Sequence, residues 1–200
     1  MRILILGATG RTGAAVLRAL PADVQAVAAL RTASDVVRVA EAACPVRPAV
    51  VDIDDAGSLR AVLQGCDVVV NAIRLREQIA PEALVDLHER LVAAGAGQAD
   101  PPRIVTVGGA GALRLPDGSR FWQRPEFPAV TLPRGRAHAA LRDHLEASAG
   151  QGWAYLIPPP AYDPAGPATG RVVEWAPSAD ESAFLRRAVS YADFGAAVAS

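Results

Sequence analysis

The chain has 200 residues, 51% of them hydrophobic and 20% charged, with a formal net charge of −1. That length suits one domain able to bury its own core, and this balance excludes a disordered chain. The absence of a basic block argues against a nucleic-acid partner, and the N-terminal apolar run, Ile3 to Leu6, is too short for a secretion signal or a membrane span.

The first half alternates short apolar runs with helical patterns. Arg2–Leu6 predicts a strand, and Thr12–Leu20 a helix stopped by Pro21. Val24–Leu30 predicts a second strand. Ser34–Ala43 predicts a second helix, with Ser34 as N-cap and Pro45 beyond its end. Arg47–Val51 follows as strand three, Asp55–Leu63 as helix three closed by Gly65, and Asp67–Asn71 as strand four. Pro81–Ala94 predicts helix four, with proline in its first turn, and Arg103–Val107 strand five. Runs such as "DVVVN" and "RIVTV" are apolar on successive residues, as in a parallel sheet buried on both faces. The predicted fold is therefore α/β, a doubly wound Rossmann-type parallel sheet, with residues 1–200 as a single domain. Residues 113–131 lack a period and predict a loop on the substrate side. Arg134–Ala149 predicts a helix and Trp153–Ile157 a sixth strand ended by three prolines. Residues 158–190 are irregular apart from a strand at Arg171–Trp175, and Tyr191–Ala199 predicts a helix capped by Ser190.

"GATGRTG" places Gly7, Gly10 and Gly13 between the first strand and its helix. Gly7 permits the turn, Gly10 lets the backbone approach a pyrophosphate, and Gly13 lets the helix pack close to the sheet. The free N–H groups and positive dipole end of the helix favour an anion, so the pattern predicts dinucleotide binding. The end of strand two selects the dinucleotide. An acidic residue there would bond a ribose 2′-hydroxyl, whereas "VAALRTAS" presents Arg31, which can fork onto a 2′-phosphate with Arg11 assisting. The cofactor is predicted to be NADP(H) in preference to NAD(H).

The segments "ILILGATGRTG", "VVDIDD", "DVVVNAI", "RIVTVGGAGAL" and "RAHAAL…GWAYLIPPPAYDP…VSYADFGAAV" resemble the NAD(P)H-binding, NmrA-like atypical short-chain dehydrogenases. The nearest subgroup is the NADH-flavin reductase or biliverdin-reductase-B-like one. The resemblance runs almost end to end and is weakest over residues 113–131 and 170–188. It implies that Asp52 and Ile53 flank the adenine, and that Asn71, Ala72 and Ile73 line the ribose and nicotinamide side. Val107, Gly108 and Gly109 would lie beside the nicotinamide, with Pro158 and Pro159 closing over it. With the glycine turn (Gly7, Thr9, Gly10, Arg11, Thr12, Gly13) and Arg31, these form the expected cofactor-binding set.

The chain departs from ordinary short-chain dehydrogenases where the chemistry would be. Their Tyr-x-x-x-Lys pair donates a proton to the substrate oxygen, but "RGRAHAALRDHL" holds neither residue and the chain contains no lysine. His138 and Tyr162 are the candidate catalytic residues, with His144 a further candidate acid on the same helix. His88 reads as a surface histidine. Arg74, Arg114, Arg120 and Arg124 would make the site's mouth positive if the 113–131 loop folds over it. Phe121, Trp122 and Phe127 would form an apolar wall there.

The leading expectation is an NADPH-dependent reductase that passes hydride to a flavin, quinone or similar conjugated carbonyl acceptor without that relay. The alternatives are an NADP(H)-sensing regulatory protein and a non-redox cyclase or isomerase on the same fold. Cys44 and Cys66 form no metal-spaced or redox pair, and no histidine–carboxylate cluster predicts a metal. A small-molecule substrate, a monomer or homodimer, no membrane partner and a cytoplasmic location complete the expectations.

Overall fold

A computed structural model describes residues 1–76, 79–148 and 152–200. Six parallel strands form one sheet in the order β3-β2-β1-β4-β5-β6. They are β1 (Arg2–Leu6), β2 (Gln25–Leu30), β3 (Val46–Val50), β4 (Val68–Asn71), β5 (Arg103–Val107) and β6 (Trp153–Leu156). The order reverses between β1 and β4, so the crevice of a doubly wound sheet opens beyond the C-terminal ends of those strands. Four helices flank the sheet: α1 (Arg11–Ala19), α2 (Ala56–Leu63), α3 (Ala83–Gly95) and α4 (Leu132–Ala147). The predicted end of the last of these, at Ala149, lies outside the described residues. A fifth helix, α5 (Tyr191–Ala199), packs on α1.

Strand periodicity explains the unbroken apolar runs. Successive side chains of β1 point to opposite faces, and both faces are covered. Ile3 and Ile5 join Val16, Leu17 and Phe194 in one core layer, whereas Leu4 and Leu6 join Leu59, Leu63, Leu87 and Leu91 in the other. A smaller cluster of Leu84, Ala137, Leu141 and Leu145 binds α3 to α4, with Trp153 and Tyr155 packed against it.

Two expected elements are absent. Ser34–Ala43 holds only a 3-10 stretch, Ala33–Arg38, none of it buried. Val36 and Val37 are exposed and only Val39, Ala40 and Ala42, beyond the 3-10 stretch, pack partly on the core, so the stretch itself lacks the burial that stabilises a surface helix. Its cap is Thr32 rather than Ser34: Asp35 accepts from both the backbone N–H and the hydroxyl of Thr32. Arg171–Trp175 is not a strand; residues 171–180 are exposed, with Trp175 resting near Phe184 and Arg187. Instead, β7 (Ala161–Asp163) and β8 (Ala188–Ser190) form a two-stranded parallel ribbon. The 113–131 segment contains two 3-10 turns, Phe121–Gln123 and Ala129–Thr131.

Candidate active site

The glycine turn joins β1 to α1 by close contact. Gly7 has φ +77°, and a Cβ there would lie 2.6 Å from the Ala72 carbonyl oxygen. A Cβ on Gly13 would lie 2.3 Å from the Gly7 carbonyl oxygen, so only glycine permits this approach of helix to strand. Gly10 is the N-cap of α1 and donates its N–H to Gly7 O at 2.9 Å. No side chain caps the helix and no acidic residue stands in its first turn. The N–H groups of its opening residues therefore remain available to an anion. A Cβ on Gly10 would meet only Gly7 O, at 3.1 Å, and would otherwise fill the space above the turn. The cradle thus fits a pyrophosphate.

The other expected cofactor contacts lie along the same sheet edge. Arg31 immediately follows β2 and is exposed, as is Arg11. Asp52 follows β3 and accepts the Asp54 N–H at 2.9 Å, while Ile53 packs partly on the core. Asn71, buried at the end of β4, accepts the Ile73 N–H at 3.2 Å and so shapes the turn through Ala72.

Beside this turn lies a cavity of about 380 Å³. Its walls bring together Thr12, Ala72, Ile73, Val107, Gly108, Gly109 and Pro158 with both proton-donor candidates, His138 and Tyr162. Phe121, Phe127 and Pro128 supply an apolar wall from the 113–131 segment. Trp122 does not line it; its Cβ packs on Gly135 and its ring lies under Arg136. Gly7, Thr9, Gly10, Arg11, Gly13, Arg31, Asp52, Ile53 and Asn71 lie outside the cavity lining, along the strand ends.

Tyr155, which no sequence pattern singles out, holds the cavity-lining His138 from behind without lining the cavity itself. Its hydroxyl donates to the His138 carbonyl oxygen at 3.1 Å and lies 3.0 Å from His138 Nδ1. A phenol has one proton, and a carbonyl can only accept. The Nδ1 atom must therefore carry the imidazole proton, which leaves Nε2 as an acceptor. Burial, with Arg134 as a second cause, pushes the His138 pKa down to about 4. The ring is thus neutral at pH 7 and holds no proton to spare. Gly108 and Gly109 are small for a reason different from cofactor approach. A Cβ on Gly108 would come within 2.8 Å of the Tyr155 ring, and one on Gly109 within 2.6 Å of the His138 ring.

Tyr162 also lines the cavity. Its hydroxyl is 3.1 Å from Thr12 Oγ1, and its ring stacks on Tyr191 at 3.7 Å. Burial raises its pKa, so the phenol stays protonated.

Several sequence expectations change. His144 does not face the cleft; it lies 3.7 Å from Glu89 and edge-on to His88. His88 is a buried residue, not a surface one, because α4 covers that side of α3, and burial lowers its pKa. Arg114, Arg120 and Arg124 do not line the mouth. Arg114 pairs with Glu146, Arg120 with Asp143 and Arg124 with Asp117. Carboxylates of α4 and of the loop itself draw these arginines away. Arg74 does line the cavity, joined by Arg134 of α4. Among the described residues no group suited to hold a metal ion occurs, and no helix is long and apolar enough to cross a membrane.

A parallel sheet in 3-2-1-4-5-6 order, an uncapped glycine-rich helix start at its switch point and a cavity alongside define a nucleotide-binding Rossmann domain. The chain belongs to the NAD(P)H-binding family, whose model matches residues 7–200, and its cofactor is accordingly a nicotinamide dinucleotide.

Among solved structures it is similar to a protein from Burkholderia pseudomallei assigned as exported, 26% identical with a TM-score of 0.77, over 99% of this chain and 91% of that one. It also shares its fold with a protein assigned as an NADH-flavin reductase from Streptococcus pneumoniae, 21% identical with a TM-score of 0.72, over 98% and 89% of the two chains. The uncharacterized protein YwnB of Bacillus subtilis (strain 168) is 32% identical over 98 residues. That match spans 48% of this chain and 46% of YwnB, so it covers about half of each.

Proposed function

We propose that the protein is an NADPH-dependent reductase that delivers hydride to a flavin, quinone or similar conjugated carbonyl acceptor. The observation that carries this reading is the cavity beside the glycine turn. It has aromatic and proline walls, and among its described lining residues there is no carboxylate. A flat conjugated ring suits such a space. Preference for NADPH rests on Arg31 and Arg11, exposed arginines with no carboxylate partner among the described residues, where an NAD site would carry an acid.

The bound dinucleotide supplies hydride at its nicotinamide C4. The chain's own part is positional. The first turn of α1 and Thr12 hold the phosphates and ribose side, and Ala72, Ile73 and Pro158 close around the reacting end. Phe121 and Phe127 press the acceptor ring toward it and exclude water on that side. No side chain acts as general acid. His138 is neutral with its one proton committed to Tyr155, so it accepts rather than donates. The acceptor is protonated by water entering at the cavity mouth. Tyr162 keeps its proton and orients Thr12.

Steady-state oxidation of NADPH and NADH over a panel of flavins, quinones and aldehydes tests this reading. The expected result is turnover with at least one conjugated acceptor, and Arg31→Ala raising KM for NADPH at least about tenfold with little change for NADH. Tight NADPH binding with no turnover on any acceptor refutes the reductase and favours the redox-sensing role.

A further inference from the structure

We propose that the acceptor bears an anionic oxygen group, a carboxylate or a phosphate, which Arg74 and Arg134 grip between them at the mouth of the cavity. The inference deepens the reductase reading and rests on it for the word acceptor; the anion site itself does not.

Arg74 follows β4 and is exposed at the rim, while Arg134 lies in the first turn of α4 and is half-buried. Both line the same cavity. They are near enough to feel each other: burial first, and then the charge of Arg74, lower the pKa of Arg134. Two guanidiniums facing one space repel, and the arrangement costs energy unless a negative group lies between them.

No carboxylate among the described residues neutralises the pair, although several arginines elsewhere in the fold are neutralised. Arg38, Arg90, Arg114, Arg120, Arg124 and Arg142 each meet a carboxylate within 4 Å. Arg74 and Arg134, like Arg11 and Arg31, meet none among the described residues, and Arg74 and Arg134 line the cavity. His138, one turn along α4 from Arg134, is neutral and neither adds to nor cancels the field. The cofactor's own phosphates are accounted for elsewhere, at the uncapped start of α1. The arginine pair shares the cavity lining with Phe127, Pro128 and Thr131, whereas Gly7, Gly10 and Gly13 of the glycine turn are not among the lining residues. The site therefore combines an apolar slot for a ring with a cationic rim for an acid, as a conjugated acid or phosphate ester requires.

Calorimetry on the NADP+-saturated protein tests the anion site without turnover. The ligands are benzoate, phenyl phosphate and neutral benzyl alcohol. The expected result is that one or both anions bind at least about tenfold tighter than the alcohol. The arm that wins separates carboxylate from phosphate. Arg74→Gln and Arg134→Gln should each remove most of that preference while NADPH affinity stays within about threefold. Arg74 is exposed, so its variant should keep the wild-type melting temperature even if the Arg134 variant does not. In turnover, FMN against riboflavin and 4-carboxybenzaldehyde against benzaldehyde should show the same bias in KM. Anion preference in calorimetry with no turnover overturns the reductase and supports the anion site. Equal binding of the three ligands overturns the site. So does a preference that survives both substitutions, or a loss of NADPH affinity as large as the loss of benzoate affinity.

Discussion

Protonation of His138 is the most direct way to challenge the cavity floor. In the folded protein its pKa is about 4, against 6.5 for a free histidine. Between those values the unfolded chain binds a proton that the folded chain refuses, so stability rises with pH across the window and is lost as pH falls through it. At about 1.4 kcal/mol per unit, the full interval is worth about 3 kcal/mol, about half of it spent between pH 6.5 and about pH 5. The two carboxylates that bind buried partners, Glu181 and Asp193, do not confuse this range. Burial alone would raise Glu181, but Arg142 outweighs it, and the Asp193 carboxylate is held low by Thr169, so both titrate in more acid solution. His88 shares the direction, and a paired comparison removes its contribution. Urea unfolding of the wild type and of His138→Asn, whose amide can still donate to Tyr155, would be followed from about pH 7 to about pH 5. The wild type should lose about 2 kcal/mol more than the variant over that interval. The slope carries the information, so a uniform cost of the substitution does not matter. Equal slopes, or an imidazole C–H resonance of His138 that titrates near the free value of 6.5, would refute the neutral, Tyr155-bound ring.

Other substitutions probe the frame of the site. Gly13→Ala puts a methyl group 2.3 Å from the Gly7 carbonyl oxygen, so α1 must move off β1. NADPH binding, read by fluorescence, should fall below detection, and stability should drop by at least about 2 kcal/mol. Glu181→Gln leaves buried Arg142 without the carboxylate that accepts from its two terminal nitrogens at 2.7 Å. The expected cost is about 3–5 kcal/mol in chemical unfolding. Tyr162→Phe removes the contact with Thr12 Oγ1 but keeps the stack on Tyr191. Stability should change by no more than about 1 kcal/mol, while KM for the dinucleotide rises severalfold.

The sheet is legible in the sequence because its strands are apolar on consecutive residues. β1 and β5 begin and end where that pattern does. The glycine turn is legible because its spacing has one geometric solution. The missing second helix shows the limit: Val36 and Val37 imitate a helical face, but no sheet surface receives them. β7 and β8 span three residues each, too few to display a period, and exist through pairing across the fold. Tyr155 reads as one more apolar strand residue, since its role depends on α4 crossing β6. The mouth arginines escape a linear reading for a similar reason. Whether an arginine is free depends on carboxylates such as Asp143 and Glu146 that the sequence sets at a distance.

The contact between α5 and α1 also sets when the phosphate cradle gains its backing during synthesis. Gly195 touches the backbone of Ala15 so closely that a Cβ would lie 2.6 Å from its carbonyl carbon. Residues 191–199 thus back the helix whose start forms the phosphate cradle. On the ribosome the glycine turn emerges before α5, so the outer face of α1 stays wet until residues 191–199 have been made. A nascent chain stalled before residue 191 would hold the whole "GATGRTG" motif and still lack a firm grip on the dinucleotide.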